Sequence, residues 1–221
     1  MPHLLIVGAG PGISGATARR FGAEGFDVGL IARREEALAE VGADLRADGV
    51  RTEWATAQAG DPQALTAAVG QLVGTLGPVD VLLYNVSAGR QTTVPELSPE
   101  DLLTDLAVGV VGLQTAVRAV LPGMRELGSG TVLATGGGSA DRPIVSMASL
   151  GVQKAALRAL AEVQAAGLAS DGIHVATVTV RGFVGEDKQI PPDRVAGVYA
   201  ELVAETTGPR ERWRTVVDLT P

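Results

Sequence analysis

The chain has 221 residues, a formal charge of −7 from 18 basic and 25 acidic side chains, and no cysteine. This length suits one α/β domain, residues 1–221, with a substantial core. The acidic balance argues against nucleic acid as a partner, since phosphates call for a basic face, and the lack of cysteine excludes disulfides, thiolate zinc sites and thiol nucleophiles.

Hydrophobic residues make up 46% of the chain and aromatic residues only 3%, so the core must be built from Ala, Val and Leu. Short apolar runs alternate with longer segments of helical period. In chain order the expected elements are strand His3–Val7, helix Ile13–Glu24, strand Val28–Ala32, helix Glu35–Asp48, strand Glu53–Ala57, helix Pro62–Leu76 and strand Val79–Tyr84. They continue with helix Pro99–Leu127, strand Thr131–Thr135, helix Ser149–Ser170, strand His174–Val180, helix Pro192–Thr206 and strand Arg214–Leu219. This alternation predicts right-handed crossovers and a doubly wound, Rossmann-type parallel sheet of about seven strands with helices on both faces. Runs such as HLLIV and VLLY are continuously apolar, as strands buried on both faces must be. Asp61 before Pro62 and Ser98 before Pro99 read as helix N-caps, and Gly136–Gly138 reads as a loop after a strand. The first residues run straight into a strand and a glycine turn, without the pattern of a secretory signal. Apolar stretches read as broken by Gly or charge before membrane-spanning length. The expectation is a cytoplasmic protein with no membrane partner.

After the first strand comes Gly8-Ala9-Gly10-Pro11-Gly12-Ile13-Ser14-Gly15. Glycines let the backbone approach a pyrophosphate, and the helix N-terminus offers free N–H groups and a positive dipole end. The position of this turn, between a strand and a helix of a βαβ unit, is the context a dinucleotide site requires. The second strand ends Ile31-Ala32-Arg33-Arg34. A carboxylate there would hold a ribose 2′-hydroxyl and mark NAD; two guanidiniums suit a 2′-phosphate and favour NADP over NAD. The competing reading pairs Arg33 and Arg34 with Glu35 and Glu36. Two histidines, His3 and His174, each near a strand start, and no clustered carboxylates give no expectation of a metal site.

Over nearly its whole length the chain resembles the short-chain dehydrogenase/reductase family. The family's Gly-x-x-x-Gly-x-Gly turn is carried by Gly8 and Gly12, with Ser14 at the third glycine. Its Asn-Asn-Ala-Gly segment resembles Tyr84-Asn85-Val86-Ser87, with only Asn85 matching the pair, and Lys154-Ala155-Ala156-Leu157 resembles the stretch around its active-site lysine. The resemblance implies a hydride-transferring oxidoreductase, with Gly8, Gly10, Gly12, Ile13, Arg33, Arg34, Asn85 and Lys154 holding the cofactor. The same alignment places Leu150 where the family has its proton-donating Tyr, Gly137 at its orienting Ser and Gly109 at the Asn that anchors a relay water. Gln58 stands at the acidic residue near the adenine, and Arg181-Gly182 at a Pro-Gly pair. This pattern marks a divergent branch in which only Lys154 of the catalytic set is retained.

Carbonyl reduction needs a proton donor to the developing alkoxide. Tyr84 and Ser139 are the substitute candidates, although a buried Tyr84 with a satisfied hydroxyl is the more ordinary outcome. Ser146 and Ser149 read as caps of the following helix. The function expected is an NADP(H)-dependent oxidoreductase with an atypical active site and an unidentified carbonyl or alcohol substrate. The alternatives are an inactive nucleotide-binding sensor or partner subunit, and a non-redox enzyme on the same scaffold. Surplus apolar positions on the Pro99–Leu127 and Ser149–Ser170 helices, with the four-helix pairing that the resemblance implies, point to a homodimer or homotetramer.

Overall fold

The computed structural model describes residues 1–221 and contains seven strands in one parallel sheet. These are β1 (His3–Val7), β2 (Asp27–Ala32), β3 (Thr52–Thr56), β4 (Val81–Tyr84), β5 (Gly130–Gly137), β6 (Ile173–Val180) and β7 (Val216–Leu219), in the order β3-β2-β1-β4-β5-β6-β7. The helices are α1 (Ile13–Ala23), α2 (Glu35–Ala47), α3 (Pro62–Leu76), α4 (Pro99–Leu106), α5 (Gly112–Leu127), α6 (Ala148–Leu168) and α7 (Pro192–Ala204).

Side chains alternate faces along a strand, and here both faces are covered. On β1, Leu5 and Val7 pack with Leu65, Val69 and Leu72 of α3, Leu113 and Val117 of α5 and Leu157 of α6. Leu4 and Ile6 pack on the opposite face with Phe21 of α1, Leu38 of α2 and Tyr199 and Leu202 of α7. β1 therefore sits at the middle of a three-layer sandwich. The chain turns to β2 on one side of β1 and later returns to β4 on the other, pairing Leu4 with both Val28 and Val81. That reversal opens a crevice at the carboxyl ends of β1 and β4, where such sheets bind ligands.

The two N-caps read from sequence form as expected. Asp61 accepts from the Gln63 and Ala64 N–H groups, and Ser98 accepts from Asp101. Three expectations change. The Pro99–Leu127 segment is not one regular helix: a π turn over Ala107–Val111 separates α4 from α5. Gly136 and Gly137 belong to β5, extended by pairing with Thr179 and Val180, and only Gly138 leaves the sheet. The Pro99–Leu127 segment is long and apolar enough to span a membrane by length and composition, contrary to the expectation that apolar stretches break earlier. In the fold α5 lies against α3 and α4 against α6.

Candidate functional site

The crevice holds a cavity of about 620 Å³ running from the glycine turn to the ends of β2, β3 and β4 and onto α4. Gly8 has φ +91°, and a Cβ there would strike the Asn85 carbonyl oxygen, so no other residue fits the turn. A Cβ on Gly10 or Gly12 would meet nothing; Gly10 lines the cavity, whereas Gly12 and Ile13 lie just beyond its lining. Ser14, in place of the third glycine, ties two walls together: its Oγ donates to the Gly8 carbonyl (2.8 Å) and accepts from Asn85 Nδ2 (2.8 Å). Asn85 thus acts on the turn through Ser14.

Two helices point uncapped N-termini at this cavity. Neither Gly12 before α1 nor Arg34 before α2 has a side-chain cap, whereas α3 and α4 are capped by their own side chains. Free N–H groups and the dipole end make each an anion seat. Arg33 and Arg34 line the cavity beside the second of these. They do not pair with Glu35 or Glu36; Glu35 instead accepts from the Trp54 indole (2.6 Å). Asp27, at the far end of β2, is buried against Arg51. Gln58 lies at the end of β3 on the cavity wall.

The loop after β4 forms the facing wall, with Val86, Ser87, Ala88, Gly89 and Arg90 all lining the cavity. It is fastened to α6. Lys154 Nζ donates to the Thr135 carbonyl (2.8 Å) and the Val86 carbonyl (3.3 Å), and burial pushes the ammonium down to about 8. Ser149 Oγ donates to buried Asp105 (2.6 Å), which also accepts two bonds from Arg90. Burial alone would raise the Asp105 carboxyl, but the Arg90 and Ser149 bonds hold it below the ordinary carboxylate value.

Several candidates change place. Tyr84 is fully buried, faces α3, α5 and α6, and donates to the Val108 carbonyl in the π turn. Burial pushes its phenol above the ordinary value. With its hydroxyl committed and buried away from the cavity, Tyr84 cannot reach a ligand, which corrects its candidacy as a proton donor. Ser149 lies inside α6 bonded to Asp105 and caps nothing; the residue before α6 is Met147, so Ser146 is not the cap either. Ser139 is the middle residue of a short 3-10 turn, Gly138–Ala140, after β5. Its Oγ lies 3.7 Å from where a Cβ on Gly137 would stand, and Lys154 Cγ lies 3.6 Å from that point. Leu150 sits one turn before Lys154 on α6. His3 and His174 bond to the Gly77 and Leu202 carbonyls in the core. The Asp105–Arg90–Ser149 cluster was missed in the sequence because its members are spread over 60 residues.

A family model described as short chain dehydrogenase matches residues 2–186. The chain belongs to the short-chain dehydrogenase family. Among relatives of this short-chain dehydrogenase, a putative ketoacyl reductase of Streptomyces coelicolor is 31% identical over 182 residues, covering 81% of this chain and 69% of that protein. The 2,3-dihydro-2,3-dihydroxybenzoate dehydrogenase of Bacillus subtilis is 29% identical over 152 residues, or 69% of this chain and 58% of that protein. The match thus spans little more than half of the Bacillus relative's length. The crystal structure of a metagenomic short-chain oxidoreductase in complex with NADP superposes with a TM-score of 0.87 at 25% identity, covering 100% of this chain and 97% of that one.

Proposed function

We propose that this short-chain dehydrogenase is an NADP(H)-dependent oxidoreductase that works on a carbonyl or alcohol substrate through an atypical active site. The observation that carries the cofactor reading is the pair Arg33 and Arg34, free of acidic partners at the cavity wall beside the uncapped end of α2. Gly8, Gly10, Gly12 and Ile13 would hold the pyrophosphate at the end of α1, and the two arginines the 2′-phosphate. Bound there, the cofactor gives or takes a hydride at its nicotinamide ring. Asn85 and Ser14 fix the turn against the β4 loop, and Lys154 fixes that loop against β5.

Proton transfer is where the chain departs from the family. Leu150 has no proton to give, Gly137 and Gly109 carry no side chain, and Tyr84 is sealed in the core. Of the two donors weighed from the sequence Ser139 is left, its Oγ close to the position that a Ser at 137 would fill. The same facts favour one second reading, a nucleotide-binding sensor or partner subunit without turnover. The proposal includes a homodimer or homotetramer formed through α4, α5 and α6.

Thermal shift at equal concentrations tests the cofactor. NADP is expected to raise the melting temperature more than NAD, and Arg33→Ala to erase the difference. Equal shifts in the parent would refute the NADP reading. Loss of NADPH absorbance over a panel of ketones separates enzyme from sensor. Without a positioned acid, worth about 10²–10⁴-fold, the parent should reduce simple ketones barely measurably. Leu150→Tyr with Gly137→Ser should raise the rate, since the nearest atoms to a Cβ at 137 stand at ordinary contact distance.

A further inference from the structure

Gln153 is fully buried on α6, one residue before Lys154. Its carboxamide uses both ends on one backbone unit of the facing loop: Oε1 accepts from the Ala88 N–H (2.9 Å) and Nε2 donates to the Ala88 carbonyl (3.1 Å). Nε2 also reaches Ser149 Oγ (3.3 Å), one helical turn earlier. Ala88 stands between Val86, whose carbonyl holds Lys154, and Arg90, which holds Asp105 and through it Ser149. Three successive grips therefore run from α6 to the loop, and Gln153 is the middle one. It is also the only one of the three that bonds both the N–H and the carbonyl of a single residue, as a neighbouring strand would.

The room for this side chain comes from Gly109 in the π turn. A Cβ on Gly109 would stand 2.5 Å from Gln153 Oε1 and 2.9 Å from its Cγ, inside the range that real Cβ atoms avoid. Gly109 and Gln153 are thus one fitted pair: the missing side chain at 109 is replaced by the amide from 153. We infer that Gln153 is the positioning residue of this site, setting the β4-loop wall of the nucleotide cavity through Ala88, and that Gly109 is required because Gln153 occupies its space. The inference rests on the proposed nucleotide reading for its affinity readout, and on the backbone alone for its second readout.

The test uses Gln153→Met, which keeps the bulk and removes both bonds, with Gly109→Ala and the double variant Gly109→Ala/Gln153→Ala. NADPH dissociation constants are measured by fluorescence titration, and hydrogen exchange at the Ala88 amide by NMR. Gln153→Met is expected to weaken NADPH about tenfold, the size of one or two lost hydrogen bonds, and to speed Ala88 exchange by a similar factor. Gly109→Ala should weaken NADPH more than tenfold, and adding Gln153→Ala should recover part of that loss, as a relieved clash requires. A side chain that only stabilises the fold would lower the melting temperature and leave the dissociation constant alone. A Gln153→Met constant within twofold of the parent therefore overturns the inference. So does a double variant no better than Gly109→Ala. Should the parent bind no NADPH, the proposed function falls and Ala88 exchange decides alone: unchanged protection in Gln153→Met overturns the clamp.

Discussion

Burial, which leaves Lys154 only 7% exposed, lowers its ammonium from the ordinary 10.5 to about 8. Between those values the unfolded chain holds a proton that the folded chain has released, so stability rises with pH across that window. The stabilisation is fully present above 10.5 and is lost as pH falls through about 8, and it amounts to at most on the order of 3 kcal/mol. Urea midpoints of the parent and Lys154→Met at pH 7.5, 8.5 and 9.5 should diverge, with the parent gaining relative to the variant. A constant difference would contradict the burial. At this scale the place of the glycine turn, Arg33 and Arg34 on the cavity wall was legible because each sits in a local pattern of a few residues, whereas the buried bonds of Lys154 to the Thr135 and Val86 carbonyls were not. Nor were Ser149, Gln153 and Asp105. Their roles depend on partners dozens of positions away, and a buried polar residue on a helix looks the same in sequence as a solvated one.

The π turn between α4 and α5 decides what Tyr84 does. A π turn breaks the regular helical register, and a buried carbonyl without a donor is costly. Tyr84 supplies the donor from β4, and Gly112 makes space for its hydroxyl. Tyr84→Phe keeps the ring and removes the bond, and should destabilise by about 1–3 kcal/mol as read by chemical denaturation. NADPH affinity should stay within twofold, because Tyr84 lies outside the cavity; a large affinity loss would return it to the site. The turn could not be read from periodicity. Apolar spacing across Pro99–Leu127 is continuous, and a single inserted residue shifts the helical face without leaving a compositional mark. The helix starts at Asp61 and Ser98 were readable because a cap side chain followed by Pro is a local signal.

For the whole molecule, the alternation of strands and helices was enough to give a doubly wound parallel sheet, because right-handed crossovers and short connections leave few ways to order the strands. The proposed assembly rests on a weaker trace. Leu103 (67% exposed) and Val111 on the α4–α5 segment, with Val152 and Val163 (70% exposed) on α6, present apolar surface to solvent. The proposed assembly would cover these side chains. Light scattering of the parent at micromolar concentration should give a mass two or four times 22.5 kDa. Leu103→Lys with Val163→Lys should shift it toward the single-chain mass. A parent that already has the single-chain mass would rule the assembly out.

The fit between Gly109 and Gln153 also limits the order in which substitutions can accumulate. A side chain cannot enter position 109 while Gln153 fills the space, and shortening Gln153 first releases the loop that walls the cavity. Either first step passes through an impaired chain, so the two positions are epistatic in both directions. Stepwise selection for reductase activity from this sequence should therefore leave 109 untouched. Gains should accumulate instead around 137, where a new side chain meets its neighbours at ordinary contact distance, and at 139 and 150 beside it, and sequencing the survivors of such a selection would display that asymmetry.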